Sequence, residues 1–149
     1  MSLKDKINDE LKAAMIAKDS VRTETLRSIR AEILKADKSG MDRELNEEEE
    51  IELLSKQAKM RREAIEQFET AGRSDLVDKE KAQLEIIEAF LPAQMSREEA
   101  EKIIDEIIKA TGAVDQKDFG KVMGASMKEL KGKIDGKVIQ DIVKSRLSA

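Results

Sequence analysis

The sequence predicts an all-α protein of two small helical bundles, about four N-terminal and three C-terminal helices, joined near Pro92. Three observations carry that reading. Apolar residues return every three or four positions along most of the chain, the period that lines one face of a helix. Of 149 residues, 40% are charged and 2% aromatic; Ala, Leu, Ile, Glu and Lys dominate, a mixture suited to amphipathic helices and poor in strand formers. Pro92 is the sole proline, and proline disfavours helix in the residue before it, so Leu91-Pro92-Ala93 reads as an extended break. The division gives one domain over 1–91 and a second over 96–149.

Ser2 with Asp5 three residues later opens the first helix, with Leu3, Ile7, Leu11 and Met15 on its inner face and an end near Lys18. Asp19 or Ser20 caps the second, whose stripe is Leu26, Ile29 and Ile33, with Gly40 as terminator and a loop over Ser39 to Leu45. Asn46 and Glu49 open a long third helix, with the acidic run Glu47 to Glu50 at the positive end of its macrodipole and Ala71-Gly72 at its close. A fourth starts at Ser74 or Asp75 and carries Leu76, Leu84, Ile87 and Leu91 inward until Pro92. Ser96 with Glu99 is the clearest capping box, starting a fifth helix that Gly112 ends. Asp115 with Asp118 begins the sixth, with Phe119, Val122, Met123, Met127 and Leu130 inside and Gly132 after it. Asp135 begins the seventh, lined by Val138, Ile139, Ile142, Val143 and Leu147.

The chain has no Cys and no His, which removes disulfides, thiol nucleophiles, histidine bases and the common zinc sites. No EF-hand spacing and no Walker A loop occurs, so neither a metal nor a cofactor is expected. No N-terminal apolar run resembles a signal peptide, and no stretch is long enough to span a bilayer. These absences give the expectation of a soluble, cytoplasmic protein without membrane partners. Net charge is −4, yet residues 1–95 carry 17 basic and 22 acidic groups while residues 96–149 carry 11 and 10. From Lys117 onward eight basic side chains face four acidic ones, which makes a polyanion a conceivable partner of the C-terminal end.

Three features invite two readings each. Arg61 falls where the third helix's apolar seam, Ile51, Leu54, Ala58, Ile65 and Phe68, needs its missing member. Pairing with a carboxylate on a neighbouring helix is the favoured account, and a place in a binding cleft is the sharper one. Gly120 and Gly124 share one helix face; close helix–helix approach is favoured over close approach of a ligand. The run Lys128 to Lys137 sets four lysines and two glycines across the turn between the sixth and seventh helices. Its lysines suit phosphates, and the free amides at the start of the seventh helix suit one more, while lysines also complement a helix C-terminus. With no Tyr or Trp, base stacking is disfavoured and any RNA recognition would be of shape and backbone.

The segments Lys59-Met60-Arg61-Arg62-Glu63-Ala64-Ile65-Glu66-Gln67-Phe68, Ala71-Gly72-Arg73-Ser74-Asp75-Leu76 and Leu91-Pro92-Ala93-Gln94 resemble the N-terminal half of the YqeY-like proteins. Gly120-Lys121-Val122-Met123-Gly124, Leu130-Lys131-Gly132-Lys133 and Asp135-Gly136-Lys137-Val138 resemble the motif shared with the tail domain of the B subunit of aminoacyl-tRNA amidotransferase. The resemblance implies two α-helical bundles and, by analogy with a tail domain implicated in holding tRNA, a tRNA-contacting face. It carries over Lys121, Gly124, Lys131, Gly132, Lys133, Gly136 and Lys137; Lys144 and Arg146 join from charge, and Arg61, Arg62 and Arg73 are secondary candidates. The chain departs from the pattern at Ser126-Met127-Lys128, where relatives read Met-Pro, and at Ile134, where a small residue is usual.

Three functions compete. The first is a non-catalytic tRNA-associated binding module, working in trans with an amidotransferase or another tRNA-processing enzyme. The second is a protein-interaction adaptor that binds no RNA. The third is an auxiliary factor of carbon–nitrogen ligase activity with glutamine as amide donor, against which stands the missing activated nucleophile.

Overall fold

The computed structural model describes residues 2–38 and 44–148, and among them the fold is all-α, with seven α-helices. The chain divides into two compact units, Met1–Leu91 and Pro92–Ala149. None of its helices is long and apolar enough to cross a membrane, among the described residues. Gly40, and the Ser39 to Arg43 part of the expected loop, lie outside the described residues.

The first unit holds α1 (Leu3–Ile16), α2 (Ser20–Lys38), α3 (Glu47–Thr70) and α4 (Ser74–Glu88). Ser2 and Asn46 form complete capping boxes with Asp5 and Glu49, which satisfy amides at the starts of α1 and α3 that have no partner within the helix. Helix α1 packs on α2, and α2 and α3 pack on α4. Ile7, Leu26, Ile29, Leu54 and Ile87 are almost wholly buried at the centre, each contributing about 1.5–3 kcal/mol through removal of its side chain from water. The Glu50 carboxylate accepts the Leu3 N–H at 2.7 Å and so ties the start of α1 to α3.

Two elements of this unit depart from expectation. Met15 is 51% exposed and Ala14 takes its place in the core. Helix α4 ends at Glu88 rather than running to Pro92. Its last residues wind into turns, with Phe90 N–H on the Ile87 carbonyl and Leu91 N–H on that of Glu88, because the residue before proline is barred from continuing the helix.

The second unit holds α5 (Arg97–Thr111), a 3₁₀ turn (Gln116–Asp118), α6 (Phe119–Leu130) and α7 (Gly136–Leu147). Ser96 and Glu99 complete the expected capping box and Gly112 closes α5 at φ +70°. The sixth helix is preceded by a tight 3₁₀ turn, since the Asp115 carboxylate takes the Lys117 N–H at 2.9 Å and Asp118 takes that of Val114 at 3.0 Å. The three helices pack pairwise around Ile104, Val122, Leu130, Ile139 and Val143, all 0% exposed.

Helices α1 and α3 end in the same way but with different residues. Asp19 N–H reaches the Ala14 carbonyl and Lys18 N–H that of Met15, a pattern repeated by Arg73 to Phe68 and Gly72 to Glu69. The left-handed position is Gly72 at φ +70° in one and Lys18 at φ +57° in the other. A Cβ in this conformation costs roughly 1–2 kcal/mol. Lys18→Gly is therefore expected to stabilise the chain by about 1 kcal/mol, read as a higher urea midpoint at unchanged slope.

Candidate nucleic-acid interface

The corner between α6 and α7 is a type II turn. Lys131 sits at φ −56°, ψ 127°, Gly132 at φ +80°, and the Lys133 N–H returns to the Leu130 carbonyl at 2.9 Å. Only glycine takes the third position of such a turn without strain, which is why Gly132 stands there. The turn is held from the segment before α5: the Gln94 amide donates to the Gly132 carbonyl at 2.8 Å, and the Met95 N–H donates to that of Lys133 at 2.8 Å. Gly132 is buried, and Lys131 and Lys133 are half-buried on either side of it.

Beyond the corner, Asp135 caps α7 by accepting the Lys137 N–H at 3.2 Å. One of the amides expected to await a phosphate is thus already taken, and an aspartate occupies that end of the helix. Gly136 packs the start of α7 toward Met127, since a Cβ there would meet its Cε at 3.8 Å. Lys131 and Lys137 each take part in an interaction within the chain.

On α6, Lys121, Gly124 and Lys128 are all exposed and lie at spacings of three and four, one above another on a single face. Neither Gly120 nor Gly124 has any neighbouring atom within 4 Å of where a Cβ would stand. The favoured sequence reading, close approach of another helix, is therefore wrong: this face of α6 is open and side-chain-poor, flanked by lysines. Lys128 belongs to the same strip; only its place in the basic run had marked it.

The remaining candidates are scattered. Lys137 and Lys144 are exposed seven residues apart on α7, with the exposed Asp141 between them. Arg146 is turned onto α5, donating to Asp105 at 2.8 Å and lying 3.6 Å from Glu101; the Asp105 hydrogen bond and charge hold its pKa above the ordinary arginine value. In the first unit Arg61 pairs with Glu80 at 2.9 Å, Arg62 with Glu88 at 3.1 Å and Arg73 with Asp75 at 3.2 Å. The hydrogen bond from Arg73 also lowers the Asp75 pKa. These four arginines are matched by carboxylates, whereas among the described residues Lys121 and Lys128 form no ion pair. Gln94 is the residue of the corner that sequence reasoning missed: it was legible only as part of the Leu91-Pro92-Ala93-Gln94 motif, and its bracing of the turn needs the fold.

Residues 4–147 match the family described as Yqey-like protein. The chain belongs to the YqeY-like family. It is 34% identical over 147 residues, 93% of this chain and 79% of the relative, to a Pyrenophora tritici-repentis protein named altered inheritance of mitochondria protein 41, mitochondrial. A protein of the same name from Eremothecium gossypii is 36% identical over 58% of this chain and 48% of its own length. The chain is also related to an amidotransferase component: a subunit of the glutamyl-tRNA(Gln) amidotransferase from Methanocaldococcus jannaschii is 42% identical over 67 residues, 42% of this chain and 11% of that protein. The expectation of a cytoplasmic protein is overturned by the first two relatives, which are named as mitochondrial. It rested on a missing apolar leader and a missing membrane span, and neither absence bears on that compartment.

Two substitutions separate the roles of the glycines. Gly124→Ala, in open surroundings within a helix, is expected to raise stability by about 0.5–1 kcal/mol. Gly132→Ala is expected to lower it by roughly 1–2 kcal/mol, because the turn then holds a Cβ in the left-handed region. Thermal and urea unfolding of the two variants measures both.

Proposed function

We propose that the C-terminal unit is a non-catalytic tRNA-docking module that recognises the folded shape of tRNA through phosphate and ribose contacts. The observation that carries this reading is the open face of α6, where Lys121 and Lys128 flank the bare backbone of Gly124, leading into the braced corner of Lys131, Gly132 and Lys133. A helix face without side chains lets a sugar–phosphate backbone come close, and flanking ammonium groups neutralise its charge. Relationship to a component of a tRNA amidotransferase supports the same polyanion. The chemistry of amide transfer would lie in a partner enzyme that the module assists in trans: the chain has no Cys or His and no Ser-Lys arrangement of a kind that activates a nucleophile.

Electrostatic docking of this kind is salt-sensitive and tolerant of base sequence. Fluorescence anisotropy of labelled bulk tRNA, titrated at several salt concentrations beside an unstructured RNA of equal length, is expected to show saturable binding that prefers tRNA and weakens with salt. Replacing Lys131, Lys133 and Lys137 together by Ala should flatten the salt slope by up to about three units. Gly124→Ala should weaken binding while stabilising the fold, a combination that general damage to the unit does not produce. Absence of binding at low salt by folded protein would overturn the proposal in favour of a protein-binding adaptor.

A further inference from the structure

The turn between α1 and α2 carries an apolar surface that the RNA-docking reading does not use. Met15 and Ile16, which close α1, are 51% and 75% exposed, while the buried face of that helix is Leu3, Ile7, Leu11 and Ala14. Beside them an open cleft of ≈ 440 Å³ is lined by Met15 and Lys18 and, from α2, by Ser20, Thr23, Glu24 and Arg27. The four α2 residues recur at spacings of three and four, so they form one strip along its first two turns.

The uncompensated charge around this cleft has one sign. Glu24 lies 3.5 Å from Lys79, Glu10 pairs with Arg22, and the Asp19 carboxylate accepts the Arg22 N–H at 3.0 Å where α2 begins. Among the described residues Lys18 and Arg27 form no ion pair, and neither does the exposed Lys12, one turn before Met15 and Ile16 on α1. Arg27 donates instead to the Met15 sulfur, Nη2 to Sδ 3.9 Å, and a thioether is a weak acceptor. Lys18 is also strained: among the described residues it is the non-glycine at positive φ, +57°, in a turn whose counterpart after α3 uses Gly72. A side chain there costs stability, and what it adds is an ammonium group at the edge of the cleft.

An occupant of this surface has to cover apolar side chains and bring negative charge. A nucleic-acid backbone brings the charge but leaves Met15 and Ile16 in water. An anionic bilayer offers both, yet residues 1–95 carry 17 basic and 22 acidic groups, so an extended anionic surface meets a unit that is negative as a whole. A short acidic segment reads the local charge alone, because exposed charges beyond about 10 Å are screened at ordinary salt. The flexible methionine adapts to apolar anchors of different shape. We propose that the cleft between the end of α1 and the start of α2 docks an acidic, leucine-type segment of a protein partner. Its aliphatic side chains lie against Met15 and Ile16, and its carboxylates meet Lys18 and Arg27.

The test is NMR titration of the ¹⁵N-labelled full chain with the peptide acetyl-Glu-Leu-Glu-Glu-Leu-Leu-Glu-Glu-Leu-amide, following the backbone amides of Lys18, Thr23 and Arg27. Controls are the same peptide with serine for leucine, the same peptide with lysine for glutamate, and vesicles of equal parts phosphatidylcholine and phosphatidylglycerol. Saturable shifts centred on these amides are expected, with a Kd in the millimolar range or tighter and at least about tenfold weaker binding of both control peptides. Lys18→Gly should weaken binding about fivefold while raising the urea midpoint, and Arg27→Gln should weaken it by a similar factor. A rise in stability together with a loss of binding separates docking from damage to the fold. No saturable shift, equal binding of the lysine or serine peptide, binding untouched by both variants, or the same amides responding to vesicles and not to the peptide would overturn the proposal. RNA binding by the second unit is read separately with bulk tRNA, so failure of one reading does not touch the other.

Discussion

The second unit depends on one left-handed residue placed inside its core. Gly132 at φ +80° reverses the chain between α6 and α7, and its carbonyl and that of Lys133 are held by Gln94 and the Met95 backbone. These bonds satisfy carbonyls of the turn that follows α6, and they set the direction in which α7 departs. The lysines of the corner follow from that geometry: Lys131 and Lys133 flank the buried Gly132 and are themselves half-buried, so the turn fixes where both stand. Side chains so placed are presented by a rigid frame rather than by a loose loop.

The first unit answers a different constraint, a cation where the heptad pattern asks for a hydrophobe. Arg61 is tolerated because Glu80 and Gln83, from the facing α4, meet it along one edge. Burying such a pair rarely adds stability over an apolar pair of the same size, so its presence is better explained by specificity or by binding than by a stronger core. Arg62 and Arg73, matched with Glu88 and Asp75, carry no such implication, since exposed or half-exposed pairs contribute little and leave no polar group wanting.

The parts of the fold written in local chemistry were legible. Capping boxes at Ser2, Asn46 and Ser96 and left-handed glycines at 72 and 112 need only neighbouring residues, and each appears where spacing placed it. Met15 shows where periodicity misleads. Steps of four residues turn 400°, so Leu3, Ile7, Leu11 and Met15 drift by about 40° each time and by the fourth member have left the face. Ala14, one residue back, then faces the core. The site was less legible because exposure and pairing are tertiary facts. Sequence told that Gly120 and Gly124 lack a Cβ, but not that nothing packs there; it counted Arg146 as a cation, but not that Asp105 and Glu101 face it from α5.

Sorting the cations by what the fold does with them narrows the charge asymmetry to a small surface. An arginine bonded to carboxylates contributes little to the field at a distance, because its charge is compensated within a few ångströms. The excess of the last third of the chain therefore resides with lysines, and those of α6 flank a glycine that the helix does not need. An alanine in that open position would make a better helix. Packing within the unit offers no compensation for the glycine, since no atom approaches it. The proposed docking of a polyanion supplies the rationale that the helix lacks, since bare backbone between two cations lets a negatively charged group come close.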